Sequence, residues 1–181
     1  MNRVQRLLVW LSRIHHCRGF GIQSPTDYAF VRYVINEHWP YYAYDHLTDT
    51  DWLTQKLGRL YFRLANWRQP AVMPSDAYQR YWQAGCRKTR FISDLSPQPS
   101  ALSPLHIELA RIDIRDEALW QRLLPLCDDD SVLVVEGIHR DWKRWHQYLS
   151  HPRVTVAYDL YYCGIVTFDS KRYPHTYQVN F

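Results

Sequence analysis

The stretch Ser131-Val-Leu-Val-Val-Glu-Gly-Ile138 decides the fold of this chain. It is a continuous apolar run that ends in Glu136 and Gly137, which is typical of a strand buried on both faces of an α/β sheet. Doubly wound sheets place their ligands at the carboxyl ends of such strands. We therefore expect Glu136 to lie at the edge of the sheet that carries any functional site.

The sequence after this strand predicts a helix followed by two antiparallel strands. Residues 139–149 place Trp142, Trp145 and Leu149 at helical spacing, which indicates a helix with one buried face. Two apolar runs follow, at residues 153–158 and 164–168. The connection between them is too short for a crossover helix, so the two strands are expected to pair antiparallel.

The amino-terminal part predicts helices. Apolar residues recur at helical spacing from Val4 to Ile14 beside several arginines, as in an amphipathic helix. We expect this helix to dock on the core of the protein, and a membrane-surface role is the alternative. Ser24 and Pro25 form a helix start, with Ser24 as the cap. A longer amphipathic helix is predicted from Asp51 to just before Pro70.

Composition favours one domain with a core of its own. The chain has 181 residues, so we expect a single domain in which residues 1–68 are helical and pack on a sheet built by residues 69–181. The four cysteines include no Cys-x-x-Cys pair, which favours neither zinc nor disulfides and suits the cytoplasm. The net charge of +4 permits weak polyanion binding only. No apolar run is long enough for a membrane span.

Two separated segments resemble a known family. The segment HPRVTVAYDLYYCGIVTF (residues 151–168) resembles the carboxyl end of a methyltransferase-like family of Bacteroidetes, and GFGIQSPTDYAFV (residues 19–31) resembles its amino-terminal signature. That family is similar to class I S-adenosylmethionine-dependent methyltransferases. The resemblance implies a Rossmann-like sheet with the strand order 3-2-1-4-5-7-6 and S-adenosylmethionine as the cofactor.

The middle of the chain departs from this pattern. In the family, the first strand runs into a glycine-rich turn, because the cofactor lies against bare backbone there. The equivalent stretch here, Ala71-Val-Met-Pro-Ser-Asp-Ala-Tyr78, contains no glycine. We expect Ser75 to cap the next helix, and Tyr78 and Trp82 to take the volume of a nucleoside. Binding of S-adenosylmethionine is therefore expected to be weak or absent.

The next segments supply the remaining positions of the resemblance. Residues 90–94 read as the second strand, and Asp94 matches the acidic residue that binds ribose hydroxyls. A proline-rich connection, residues 96–104, leads to a strand that ends in Asp113 and resembles the fourth of the family. The third strand, which lies at the edge of the sheet, is therefore expected to be deleted.

Two functions from different classes follow. We favour a non-catalytic pseudoenzyme that uses the sheet to bind a protein or small molecule, because the missing glycines are required for cofactor binding. The alternative is an active O-methyltransferase-like enzyme on an unknown small-molecule acceptor. In that case Asp94 binds the cofactor, and Asp113, Glu136 and His139 are the candidate catalytic residues.

Metal and nucleic-acid functions are disfavoured by the sequence. In metal-dependent O-methyltransferases an Asp and an Asp-Asn pair hold the cation, and Gly137 stands here where the third ligand is needed, so we expect no metal site. Arg87-Lys-Thr-Arg90 is a weak nucleic-acid signal, since it has three cations and no further pattern. No specific nucleic-acid partner is expected.

Overall fold

A computed structural model describes residues 3–95 and 105–181. The helices are α1 (Arg3–Ser12), α2 (Pro25–Phe30), α3 (Trp52–Arg68), α4 (Gln79–Gly85), α5 (Glu117–Leu123) and α6 (Trp142–Leu149). The strands are β1 (Val72–Pro74), β2 (Arg90–Ile92), β3 (Leu109–Asp113), β4 (Val132–Glu136), β5 (Val156–Asp159), β6 (Cys163–Thr167) and β7 (His175–Gln178). The order of the elements is that of a mixed α/β chain.

The strands form a mostly parallel sheet. Five of them are hydrogen-bonded in the order β3-β4-β6-β5-β7, and β1 and β2 pair parallel beside them. Only β6 runs opposite to its neighbours in the five-stranded sheet, since it is antiparallel to both β4 and β5. The predicted buried strand, the antiparallel pair and the mixed α/β class are therefore confirmed.

The two ends of the sheet complete its topology. Strand β1 lies beside β3, where the Ala71 N–H donates to the Glu108 carboxylate at 2.6 Å. At the other end β7 pairs parallel with β5, in a register that joins Val156 to His175. The sequence did not predict β7, because three of its four side chains are exposed and its apolar pattern is weak. Residues 96–104, the predicted proline-rich connection, lie outside the described residues.

Helices cover both faces of the sheet. Helices α2, α3 and α4 share a buried cluster with one face, and α5 and α6 share a second cluster with the other. Gly164 in β6 lets α6 approach closely, because a Cβ atom there would lie 2.2 Å from the Trp145 ring. The buried face of α6 consists of Trp145 and Tyr148. Trp142, predicted on this face, is 38% exposed because the helix begins only at that residue.

Two of the predicted helix starts are confirmed and one is wrong. The Ser24 hydroxyl accepts a hydrogen bond from the Asp27 N–H, and α2 continues into a π-helical turn at Val31–Ile35. The Asp51 carboxylate caps α3 by accepting from the Thr54 N–H at 2.8 Å. The predicted Ser75 cap of α4 is wrong. Helix α4 begins at Gln79, so its N-cap residue is Tyr78, whose side chain makes no capping hydrogen bond.

Helix α1 is oriented opposite to expectation. Its apolar residues are exposed, with Leu7 at 55% and Leu8 at 60%, so the prediction that they dock on the core is wrong. The residue just past the helix, Arg13, is buried instead, and its guanidinium binds the Asp159 carboxylate at 2.8 Å and the Asp159 carbonyl at 2.9 Å. A buried arginine requires such partners, and they fix the orientation of this segment.

The two segments that carry the family resemblance meet in space. Asp27, in the amino-terminal segment, accepts hydrogen bonds from Tyr158 at 2.5 Å and from Tyr177 at 3.1 Å, and it forms an ion pair with Arg172. Burial raises the pKa of Asp27, but the bonds from Arg172 and Tyr158 outweigh this and hold the pKa below its usual range. The amino terminus is thus attached to β5 and β7 by polar contacts.

Two further findings concern the whole described chain. All four cysteines are free thiols. Within residues 3–95 and 105–181, no helix combines the length and the apolar character that crossing a membrane requires.

Candidate functional site

The carboxyl ends of β1, β3 and β4 lie next to one another, and two of the predicted site residues, Asp113 and Glu136, end β3 and β4 at this edge. Parallel register places Asp113 of β3 opposite Glu136 of β4. Side chains alternate along a strand, so Glu136 points to the same face as Val132 and Val134, which pack against the helices α2 to α4. Helix α3 therefore covers this edge of the sheet.

Glu136 is held by two partners from other elements. Its Oε2 atom accepts a hydrogen bond from the Tyr61 hydroxyl of α3 at 2.9 Å and from the Arg111 Nε of β3 at 2.6 Å. The side chains of this ion pair are only 16% and 14% exposed for Arg111 and Glu136. Burial and the Glu136 charge raise the pKa of Tyr61 well above its ordinary value. Burial lowers the pKa of Arg111, but the bond to Glu136 outweighs this and the pKa is raised.

Aromatic rings fill the space beside this ion pair. Tyr61 stacks on Trp82 with ring centroids 4.6 Å apart, and it contacts Tyr78 edge-on at 4.7 Å. The Arg111 guanidinium lies 5.0 Å from the centre of the Tyr78 ring. Tyr61 and Trp82 are fully buried and Tyr78 nearly so. The volume next to the ends of β1 and β4 is therefore occupied by side chains in van der Waals contact.

The loop after β1 supports this aromatic cluster. Met73 is fully buried, and the Asp76 carboxylate accepts hydrogen bonds from the Tyr78 N–H at 2.7 Å and from the Trp82 indole N–H at 3.0 Å. Burial raises the pKa of Asp76 above its ordinary value despite these bonds. The Asp76 carboxylate thus holds the Trp82 ring in place through its indole N–H.

Asp113 binds a neighbour in sequence. Its carboxylate accepts from the Arg115 backbone N–H and from the Arg115 Nε, both at 3.0 Å. Burial raises the pKa of Asp113, but the bonds from Arg115 outweigh it and the pKa lies below its usual range. The Arg115 side chain is 68% exposed, so this ion pair faces solvent.

His139 lies in a helical turn after β4. Gly137 begins this turn with a φ of +79°, a left-handed conformation that glycine adopts readily. The imidazole stacks on Tyr161 with ring centroids 5.1 Å apart. Its Nδ1 atom is buried with no hydrogen-bond partner in the described chain. Burial, followed by the charge of Arg140, lowers the pKa of His139 below its ordinary value.

Asp94 follows β2 and faces solvent. Its side chain is 75% exposed, and its carboxylate lies 3.8 Å from the Arg122 guanidinium of α5. Helix α5 covers the face opposite to α3. Asp113 and Glu136 are neighbours in the β3–β4 ladder, but their side chains bind different partners, which are Arg115 for Asp113 and Arg111 with Tyr61 for Glu136.

Sequence reasoning missed Arg111 and Tyr61. Arg111 is a lone charge inside an apolar strand, at a position two residues from buried Leu109, and such a residue requires a buried partner. That pattern predicts an ion pair but not its partner. Tyr61 lies among the buried residues of α3, and its local sequence does not indicate the hydrogen bond that its hydroxyl donates to Glu136.

The residues present do not fit S-adenosylmethionine at this edge. The cofactor would need close contact with backbone N–H groups, whereas β1 ends in Pro74, which has no N–H, and the buried ring of Tyr78 follows. For metals, no group of three or more His, Cys, Asp and Glu side chains in the described part of the chain is placed to hold an ion.

Comparisons with known proteins find one structural similarity and no sequence match. No family model matches the chain, and no curated protein matches it in sequence. The structure is similar to a crystal structure of cofactor-bound Rv0187 from MTB, with 14% sequence identity and a TM-score of 0.42. The match covers 70% of this chain and 86% of that one. A similarity of this size identifies neither a family nor a function.

Proposed function

We propose that this chain is a non-catalytic relative of the class I S-adenosylmethionine-dependent methyltransferases that acts as a binding protein. The observation that carries the proposal is the aromatic cluster of Tyr61, Tyr78 and Trp82, which fills the edge of the sheet where a cofactor would bind. A pocket that is packed to the density of a core has no free volume for a nucleoside.

The strand order supports the relationship. Read from one end, the strands lie in the order β2-β1-β3-β4-β6-β5, with β1 beside β3. If β3 corresponds to the fourth strand of the family, this is the order 2-1-4-5-7-6 that the resemblance implies without its edge strand. The additional strand β7 lies at the opposite end of the sheet and leaves this order unchanged.

The ionic groups support the non-catalytic assignment. Glu136 is engaged by Arg111 and Tyr61, Asp113 by Arg115, and Asp76 by Trp82. A catalytic acid or base needs a proton-transfer position that faces the substrate. These carboxylates instead hold the strands, helices and turns together.

The alternative is an active methyltransferase with Asp94 at the ribose. A single hydrogen bond to a charged group contributes about 1.5 to 3 kcal/mol. Micromolar affinity requires roughly 8 kcal/mol. Asp94 alone therefore cannot supply cofactor binding if the loop after β1 keeps the conformation described here.

Calorimetry separates the two functions without knowledge of a substrate. We expect no heat of binding with S-adenosylmethionine or S-adenosylhomocysteine at up to about millimolar concentration, which corresponds to roughly 4 kcal/mol. Micromolar binding that is lost in Asp94→Ala and kept in Asp45→Ala, a matched change of an exposed aspartate, would overturn the proposal and favour the enzyme.

A further inference from the structure

A basic cavity lies away from the carboxyl edge of the sheet. It has a volume of about 300 Å³ and lies between the first turns of α3 and the residues that follow the π-helical turn. Its cationic lining consists of Lys56, Arg59, Arg63 and His38, and its apolar lining includes Trp52 and Phe181. It shares no lining residue with the aromatic cluster of Tyr61, Tyr78 and Trp82.

The cations lie on one helix and lack acidic partners. Lys56, Arg59 and Arg63 follow one another at spacings of three and four, so they share a side of α3. None of them belongs to an ion pair among the described residues. The one acidic residue of the lining, Glu37, accepts a hydrogen bond from the Tyr41 hydroxyl at 2.6 Å. The cavity therefore carries an excess of positive charge.

The orientation of this charge is fixed by the backbone. The Arg63 guanidinium donates to the carbonyl oxygens of Val34 and Ile35 at 2.7 and 2.8 Å, and the residue is 8% exposed. Lys56 places its Nζ atom 4.2 Å from the centre of the Phe181 ring. These contacts hold the two cations in place without neutralising them, because carbonyl groups and aromatic rings carry no net charge.

The neighbouring groups show the effect of this charge. Burial and then Arg63 lower the pKa of Lys56 to about 8. Burial, followed by the charges of Arg63, Arg18 and Lys56, lowers the pKa of His38. A cation whose pKa falls in this way lacks a nearby negative charge that would stabilise its protonated form.

Two buried donors in this region also lack acceptors. Asn36 lines the cavity and is 7% exposed, and its Nδ2 atom has no hydrogen-bond partner in the described chain. The same holds for the Nε atom of Arg59. Buried donors in folded proteins are almost always satisfied, so a missing acceptor indicates a ligand or ordered water. Both unpaired atoms are N–H donors, which selects for a ligand rich in acceptor oxygens.

We propose that this cavity binds a small molecule through a phosphate group. A phosphate offers several acceptor oxygens and a double negative charge, which match two guanidinium groups, one ammonium group and an amide donor. The volume suits a small metabolite, and Trp52 and Phe181 provide apolar walls for the remainder of the ligand. The site stands independently of whether a cofactor binds at the carboxyl edge.

Titration with inorganic pyrophosphate tests the site. We expect saturable binding to the full chain at low ionic strength, weakened by about 10-fold or more in Lys56→Met and in Arg59→Met, since each change removes a charged hydrogen bond. The controls are Lys143→Met and Arg87→Met, which remove the same charges at exposed positions and should leave the dissociation constant within about 2-fold.

Three outcomes would overturn the proposal. The first is no pyrophosphate binding at millimolar concentration, and the second is an equal loss in the control variants, which indicates attraction to net charge alone. The third is tight binding of a single-stranded oligonucleotide with none of pyrophosphate.

Asn36→Asp provides a further check, because it keeps the side-chain size and places a negative charge in the cavity, so pyrophosphate binding should be lost. Titration with S-adenosylhomocysteine separately measures binding at the carboxyl edge of the sheet.

Discussion

Helix α3 presents two surfaces that treat polar groups in opposite ways. On one side Tyr61 stacks on Trp82 and binds Glu136, which in turn holds Arg111. On the other side Lys56 and Arg59 line an open cavity and form no ion pair with any described residue. The first surface is filled and its charges are compensated, while the second is open and its charges are not.

This difference indicates which of the two surfaces of α3 can bind a ligand. A buried ion pair with full hydrogen bonding holds the fold together and leaves no donor for a ligand. Uncompensated cations and unpaired donors carry a free-energy cost, and a ligand that binds them recovers it. The carboxyl edge, where this class of sheet places its ligands, is the filled region in this chain, and the basic cavity is the candidate for binding.

The largest effect is expected at the filled surface. Glu136→Leu should lower the free energy of unfolding by roughly 3 to 5 kcal/mol, because it leaves the buried Arg111 without its partner. Urea denaturation measures the change. The double variant Arg111→Leu/Glu136→Leu should recover most of the loss, since it removes both charges.

The solvent-facing ion pair of Asp113 supplies the control for Glu136. Asp113→Asn should cost less than about 1 kcal/mol, because its partner Arg115 is exposed. If Glu136→Leu costs no more than Asp113→Asn, the ion pair of Glu136 does not hold the fold together and the comparison of the two surfaces fails.

An intermediate effect of opposite sign is expected in the basic cavity. The depressed pKa of Lys56, about 8 instead of 10.5, means that its charge destabilises the folded protein at neutral pH. Lys56→Met should therefore raise the free energy of unfolding at pH 7 by roughly 1 to 2 kcal/mol, after allowance for solvent screening.

The pH dependence of this gain identifies its cause. Between pH 8 and 10.5 the folded protein releases the Lys56 proton before the unfolded chain does, so the wild type gains stability as the pH rises. The difference between Lys56→Met and wild type should thus shrink from pH 7 to above pH 10, as measured by urea denaturation. Lys143→Met should show no such trend, and a variant that is less stable than wild type at pH 7 would contradict the assignment.

The smallest effect is expected at Asp94. Asp94→Ala should change the free energy of unfolding by less than about 0.5 kcal/mol, because the side chain is 75% exposed and its contact with Arg122 is long. Thermal melting with and without S-adenosylhomocysteine measures this. A melting temperature that rises with S-adenosylhomocysteine in wild type and not in Asp94→Ala would place the cofactor at the carboxyl edge after all.

Much of the fold could be predicted from local patterns. The apolar run at β4, the short connection between β5 and β6, and the cap residues Ser24 and Asp51 each depend on neighbours within a few positions. The orientation of α1 could not be predicted in this way, because it depends on the bond between Arg13 and Asp159, which are 146 positions apart. Strand β7 was missed because its side chains are mostly exposed.

The sequence by itself determined most of the strands and helices, the end of β4 at Glu136, and the absence of glycine from the loop after β1. Only the tertiary structure decided which groups meet: it joined Glu136 to Arg111 and Tyr61, gave Asp113 and Asp94 separate partners, and left Lys56 and Arg59 without any described acidic partner. The physical reason is that periodicity and turn chemistry act over short distances along the chain. Compensation of a buried charge depends on which distant side chain packs against it, and that is fixed only when the helices dock on the sheet.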